Sequence, residues 1–177
     1  MELTERTLSR RQIYQGRILD VHVDEVALPD GTTSHREVAE HPGGVGILAL
    51  DDRGRVAVVR QYRYVFGRVM TEIPAGKLEP GEEPALTARR ELQEEIGADA
   101  GQWTDLGMLI PSPGCYGERL YLFLARGLTF SHPHPDDGEF LEASFIPLDE
   151  LAERCLSGEI QDAKTVVAVL KARAMGL

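Results

Sequence analysis

Cysteine is scarce in this chain: among 177 residues only Cys115 and Cys155 carry thiols. Two are too few for a disulfide framework and lack metal-ligand spacing, so each is expected to be a free thiol in a reducing compartment, the cytoplasm being the simplest. Positive charge is short as well, with 19 Lys and Arg against 29 Asp and Glu and a formal net charge of −10. That deficit argues against nucleic acid or an anionic membrane as the main partner, since both demand clustered cations. A phosphate-bearing substrate would need cations supplied locally. Long apolar runs are also missing. The longest uninterrupted stretches are strand-sized, and residues 1–16 contain no apolar core of signal-peptide length, so neither a membrane span nor an export signal is expected.

The length and the 42% apolar share suffice for a globular domain with a real core. Residues 12–40 read as an N-terminal antiparallel β-ribbon, with Ile18, Val21, Val23 and Val26 in loose alternation and Pro29-Asp30-Gly31 as turn chemistry. A two-stranded ribbon is marginal alone and should pack on the main domain or on a second subunit, which makes a homodimer the expectation. The division expected is an N-terminal ribbon over residues 1–43 and a main domain over 44–177. Strands are expected at 45–50, 56–60, 69–73, 103–109, 120–125 and 140–146, with a Gly- and Pro-rich loop beginning at Pro74-Ala75-Gly76. Pro84 suits a first helical turn, Ala85, Ala88, Leu92 and Ile96 recur at helical spacing, and Gly97 stops the helix. Two more helices are expected near 148–157 and 162–174. Strands with intervening helices but no regular βαβ alternation indicate an α+β architecture, with helices flanking a mixed sheet.

On the first helix Glu91, Glu94 and Glu95 stand at i, i+3 and i+4, so their carboxylates crowd one surface. Repulsion among them turns favourable around a divalent cation, and hard oxygen donors suit magnesium or manganese. Spacing alone, however, more often marks a solvated acidic face.

The wider pattern changes that weighing. From Gly76 through Gly81 and Glu82 to Arg90, Glu91, Glu94, Glu95 and Gly97, the chain resembles the Nudix box at every fixed charged and glycine position. Its one departure is Ala98, where the family has a larger aliphatic residue. The resemblance implies a Nudix-type α/β/α sandwich and a Mg2+-dependent pyrophosphohydrolase, Mn2+ being a possible substitute. It implies Glu91, Glu95 and the Ala75 carbonyl as metal ligands, and Glu94 as a metal ligand or catalytic support. Glu82 and Arg90 would brace the loop against the helix.

Outside the box the chain resembles the ADP-ribose pyrophosphatase branch. The loop Pro135-Asp136-Asp137-Gly138-Glu139 is similar to that branch's acidic loop and implies Glu139 as general base, with Glu142 as fallback; a solvated polar hairpin is the plainer alternative. Ser112-Pro113-Gly114 places Pro113 15 residues past Ala98 (113 − 98), the spacing of that branch, although Pro-Gly also marks ordinary turns. The same resemblance implies Arg63, Glu118, Gly114 and, from the ribbon, Arg36 as substrate-binding positions. For Arg63 an ordinary salt bridge is equally consistent. The expected reaction is hydrolysis of ADP-ribose, or a close ADP-sugar, to AMP and a sugar phosphate. The alternatives are another nucleotide sugar such as GDP-mannose, or a non-catalytic nucleotide-sensing module. The expected partners are a small nucleotide-sugar substrate and a second copy of the chain.

Overall fold

The computed structural model describes residues 3–135 and 138–177; Asp136 and Asp137 of the acidic loop lie outside the described residues. Two units are distinguished by packing, Met1–Gly43 with Ile110–Arg119, and Gly44–Leu109 with Leu120–Leu177. Residues 110–119, which the sequence reading grouped with the main domain, therefore cluster with the N-terminal segment.

In the first unit the expected ribbon is a three-stranded antiparallel sheet, β1 (Arg6–Gln15), β2 (Asp20–Ala27) and β3 (Thr33–Glu40), in that order. The first strand begins well before residue 12, and its pattern gives no warning because all ten of its residues are exposed. No buried face selects for apolar side chains there. Ile18 falls in the connection between β1 and β2 and is 46% exposed, so it takes no part in the alternation. The turn at Pro29-Asp30-Gly31 forms as expected, with Asp30 Oδ1 accepting from the Thr32 amide at 2.9 Å. The segment 110–119 is fastened to β3, the Ala39 amide donating to the Cys115 carbonyl at 2.8 Å and the Gly117 amide to the Ala39 carbonyl at 2.9 Å.

The second unit holds β4 (Gly44–Ala49), β5 (Arg55–Arg63), β6 (Arg68–Glu72), β7 (Ala75–Lys77), α1 (Pro84–Ile96), β8 (Ala98–Leu109), β9 (Leu120–Phe130), β10 (Leu141–Pro147), α2 (Leu148–Leu156) and α3 (Ala163–Ala174). A mixed sheet runs β7-β4-β9-β8, with β4 parallel to β9, and a second, antiparallel sheet runs β10-β5-β6. Strand alternation sends side chains to two cores. Val45, Ile47, Ala57, Val59 and Phe123 pack with Ala88, Leu92 and Ile96 of α1. Leu48, Val56, Val58, Leu122 and Leu124 pack with Leu151 of α2 and Ala168, Val169 and Ala172 of α3. Helices thus cover both faces, as the α+β reading expected. Among the described residues no helix is long and apolar enough to cross a membrane.

Two elements depart from expectation. The loop expected from Pro74 onward contains β7, paired antiparallel with Gly44–Gly46 of β4. Glycine allows that approach, since a Cβ at Gly44 would stand 2.7 Å from the Gly76 carbonyl oxygen. Strand β8 starts at Ala98 rather than Trp103, because Gly97 in the left-handed region (φ 63°) turns the chain directly from helix to strand. Residues 98–102 have little strand propensity of their own, and pairing with β9 supplies what they lack.

Candidate active site

Helix α1 begins with Pro84 in its first turn and ends where the Gly97 amide donates to the Gln93 and Leu92 carbonyls. Ala88, Leu92 and Ile96 are the apolar stripe that seats it, and Glu91 and Glu95 lie on the same inward side, 9% and 4% exposed. This burial is the first departure from a solvated acidic face. The Ala75 amide donates to Glu95 Oε2 at 3.0 Å, tying the helix to β7. The Glu91 carboxylate lies against Gly76, where any Cβ would overlap it. Glycine at 76 is therefore a steric requirement of the Glu91 position.

Arg90 binds the surrounding carboxylates. Its Nη1 donates to Glu91 Oε1 and to Glu94 Oε2, both at 2.8 Å, while Nε and Nη2 hold Glu82 at 3.1 Å. Glu82 also accepts from the Glu79 amide at 3.2 Å. The bracing of loop on helix implied by the sequence is thus visible in these bonds, and the Arg90 hydrogen bonds lower the Glu82 carboxyl to about 2.

Glu91 and Glu95 behave in the opposite sense. Burial pushes Glu91 up to about 7, against the lowering influence of Arg90, with Glu94 and Glu139 adding repulsion. Burial pushes Glu95 up to about 8, against the Ala75 hydrogen bond and the charge of Lys164, with Glu91 and Glu139 again adding repulsion. Two buried carboxylates that resist ionisation near neutral pH form a donor set that a hard divalent cation relieves. Among the described residues no three His, Cys, Asp or Glu side chains are already gathered into a metal cage. Arg90 supplies the positive charge beside Glu91 and Glu94, and a cation at the pair would take part of that place.

Glu139 is within electrostatic reach of both Glu91 and Glu95. Glu142 is 76% exposed at its side chain and engaged by Arg60 Nη1 at 2.8 Å across β10 and β5. Arg63 presents Nε and Nη2 to the Glu72 carboxylate, both at 2.7 Å. Burial opposes ionisation of Glu72, yet the bonds from Arg63 and the charge of Lys164 overcome it and hold the carboxyl at about 2. Arg63 is therefore neither an ordinary surface salt bridge nor a free fork, since its partner is 2% exposed. Glu72 and Lys164 received no role from the sequence. They are 92 residues apart, and only packing shows that they meet.

The remaining candidates lie in the first unit. Glu118 is 3.5 Å from His41 Nδ1. Gly114 sits in an exposed turn with nothing within 4 Å of where a Cβ would be. Arg36 donates Nε and Nη2 to the Glu5 carboxylate at 2.9 and 2.5 Å.

A glycine-backed carboxylate pair on a helix beside a mixed sheet defines a Nudix-type site, and the chain belongs to the Nudix family: the NUDIX domain model matches residues 40–168. The nucleoside diphosphate sugar hydrolase N-terminal domain model matches residues 5–39. The chain is 41% identical over 169 residues to an ADP-ribose pyrophosphatase of Bacillus subtilis, covering 94% of this chain and 91% of that one. It is 40% identical over 167 residues to a methanol dehydrogenase activator of Bacillus methanolicus, covering 93% and 90%. A solved structure described as an ADP compounds hydrolase shares the fold, with a TM-score of 0.86 at 22% identity over 99% of this chain and 96% of that one.

Proposed function

We propose that this Nudix hydrolase is a magnesium-dependent pyrophosphohydrolase, with manganese as a substitute, that cleaves ADP-ribose or a close ADP-sugar to AMP and ribose 5-phosphate. The observation that carries the reaction class is the buried Glu91–Glu95 pair set over Gly76 and joined to β7 through Ala75. The substrate choice is supported by 41% identity to the Bacillus subtilis ADP-ribose pyrophosphatase along nearly the whole chain, and by the resemblance of the Arg63, Pro113 and Glu118 positions to that branch.

Glu91, Glu95 and the Ala75 carbonyl would hold the metal, with Glu94 in support. A divalent cation held there would supply neutralisation of diphosphate charge and polarisation of the phosphorus–oxygen bonds. Glu139 takes the proton of the attacking water; the new bond forms from water oxygen to phosphorus, and the bridging phosphorus–oxygen bond breaks to release AMP and the sugar phosphate. Arg63 is held by Glu72 in one orientation, and Nη1, outside that pair, is the donor left to meet a phosphate oxygen. Glu118, Gly114 and Arg36 are assigned to substrate binding on the resemblance to the ADP-ribose branch.

Incubation with Mg2+ and a panel of ADP-ribose, ADP-glucose, GDP-mannose and dinucleotides is expected to release AMP from ADP-ribose with a kcat/KM at least about ten-fold above that for GDP-mannose. Absence of AMP from ADP-ribose would sink the substrate assignment. Tight binding without turnover of any diphosphate would make the chain a sensing module instead.

The N-terminal sheet is proposed as the contact of a homodimer, since β1 is an edge strand exposed along its whole length. Light scattering of the full chain should give twice the 19.6 kDa mass, and a monomer at micromolar concentration would count against it. The reduced thiols Cys115 and Cys155 accord with action in the cytoplasm.

A further inference from the structure

Lys164 is an unusual place for a cation. It is 8% exposed and sits in the first turn of α3, where the helix dipole disfavours positive charge. Its Nζ donates to Glu72 Oε2 at 2.5 Å and to Asp162 Oδ1 at 2.9 Å. Asp162 caps α3, accepting from the Thr165 amide at 3.0 Å and from its hydroxyl at 2.5 Å. Thr165 Oγ1 in turn accepts from the Ile73 amide at 2.9 Å. The next link is the Pro74 carbonyl, which accepts from the Ile47 amide of β4 at 2.8 Å. Then comes Ala75, whose amide donates to Glu95.

A continuous set of bonds therefore runs from the start of α3 through residues 72–75 to the carboxylate pair. Every residue from Glu72 to Ala75 is held from outside α1 or bonded to it, so the bend that presents the Ala75 amide and carbonyl has little freedom. Lys164 also opposes, through its charge, the repulsion that Glu91 and Glu139 impose on Glu95.

We propose that Lys164, with Thr165, is a positioning residue of the reaction: by fixing Glu72 and Ile73 it sets the bend that carries Ala75 against Glu95, and so sets the metal affinity of the site. This rests on the reading of Glu91 and Glu95 as metal ligands. Lys164 touches neither metal nor substrate in it and acts through the strand, as supporting residues of metal sites do.

The test compares full-length wild type with Lys164→Met, the double variant Glu72→Gln/Lys164→Met, Leu148→Ala and Glu95→Gln. Free Mn2+ is followed by electron paramagnetic resonance, alongside Tm and Mg2+-dependent kinetics. Lys164→Met should weaken Mn2+ binding by about 10–100-fold, with activity recovering at high Mg2+ and substrate KM at saturating metal nearly unmoved. The double variant removes both buried charges and should regain Tm but not Mn2+ affinity. Leu148→Ala, a cavity at the start of α2 in the core cluster that also holds Ile73, removes packing but none of these hydrogen bonds, and should lower Tm and leave the Mn2+ Kd unchanged.

Wild-type Mn2+ affinity in Lys164→Met overturns the proposal, and so does restored affinity in the double variant or equal weakening in Leu148→Ala. If Lys164→Met does not fold, the double variant decides alone. A wild type that binds no Mn2+, or binds it no better than Glu95→Gln, overturns the metal reading together with the proposal. Loss in Glu95→Gln and in both Lys164 variants, with Leu148→Ala unchanged, leaves both standing.

Discussion

Glu95→Gln is expected to lower kcat by about a thousand-fold or more while making the metal-free protein more stable at pH 8. The two effects have one cause. Glu95 is 4% exposed and its carboxyl is raised to about 8, so ionising it in the folded protein works against burial and against the charges of Glu91 and Glu139. Glutamine keeps the shape and an oxygen for the Ala75 amide but removes the charge. It therefore relieves the strain and discards the proposed metal ligand at once. Fluorescence-monitored melting in EDTA and a product assay on the same preparation read both effects. An active Glu95→Gln variant, or one less stable than wild type in EDTA, would contradict the assignment.

The pH dependence follows with a definite sign. Glu91 and Glu95 have folded values near 7 and 8 against an ordinary value of 4.5, so between about pH 4.5 and 8 the folded chain binds protons that the unfolded chain has released. Their contribution to stability is complete below 4.5 and is lost as pH rises through 7 to 8. Glu72 and Glu82 are lowered to about 2 and act in the other direction, their stabilisation disappearing only as pH falls below 4.5, so the windows do not overlap. A cation replaces the missing protons, and Mg2+ should raise Tm more at pH 8 than at pH 5.5. At 100 times Kd the stabilisation is about 2.7 kcal/mol, equivalent to about 5–10 °C for a chain of this size. Equal shifts at both pH values would show that the cation binds elsewhere.

The second large effect is expected at Glu139. Its replacement by glutamine should lower kcat by about 100- to 10,000-fold, the range for loss of a general base, with the Mn2+ Kd changed far less. Glu142→Gln should remain within about three-fold of wild type, because that side chain is exposed and engaged by Arg60 and the loss is only of a surface pair. Steady-state kinetics at saturating Mg2+ separate the two. Near-normal turnover in Glu139→Gln would remove it from the role and make Glu142 the next residue to test.

Much of the larger unit was legible because its signals are local. Pro84, the recurrence of Ala88, Leu92 and Ile96, and Gly97 mark a helix without reference to the rest of the chain. The hidden elements are those whose residues show no face: β1, exposed along its length, and β7, three residues long and able to approach β4 closely because Gly44 has no Cβ. Ala98, the one departure from the box, is fully buried between the last helical turn and β9, so the small residue belongs to the packed core.

By itself the sequence determined that the chain carries a carboxylate helix, closed by Pro84 and Gly97, inside the motif of a diphosphate hydrolase. Those features depend on spacings of three and four residues, which a helix converts directly into neighbours. Only the tertiary structure decided that Glu91 and Glu95 are buried while Glu94 faces Arg90, and that Gly76 lies under the Glu91 carboxylate. It alone joined Glu72 to Lys164, 92 residues apart, behind the strand that meets Glu95. Burial and long-range pairing depend on what the other layers place above each residue, and no local spacing encodes that.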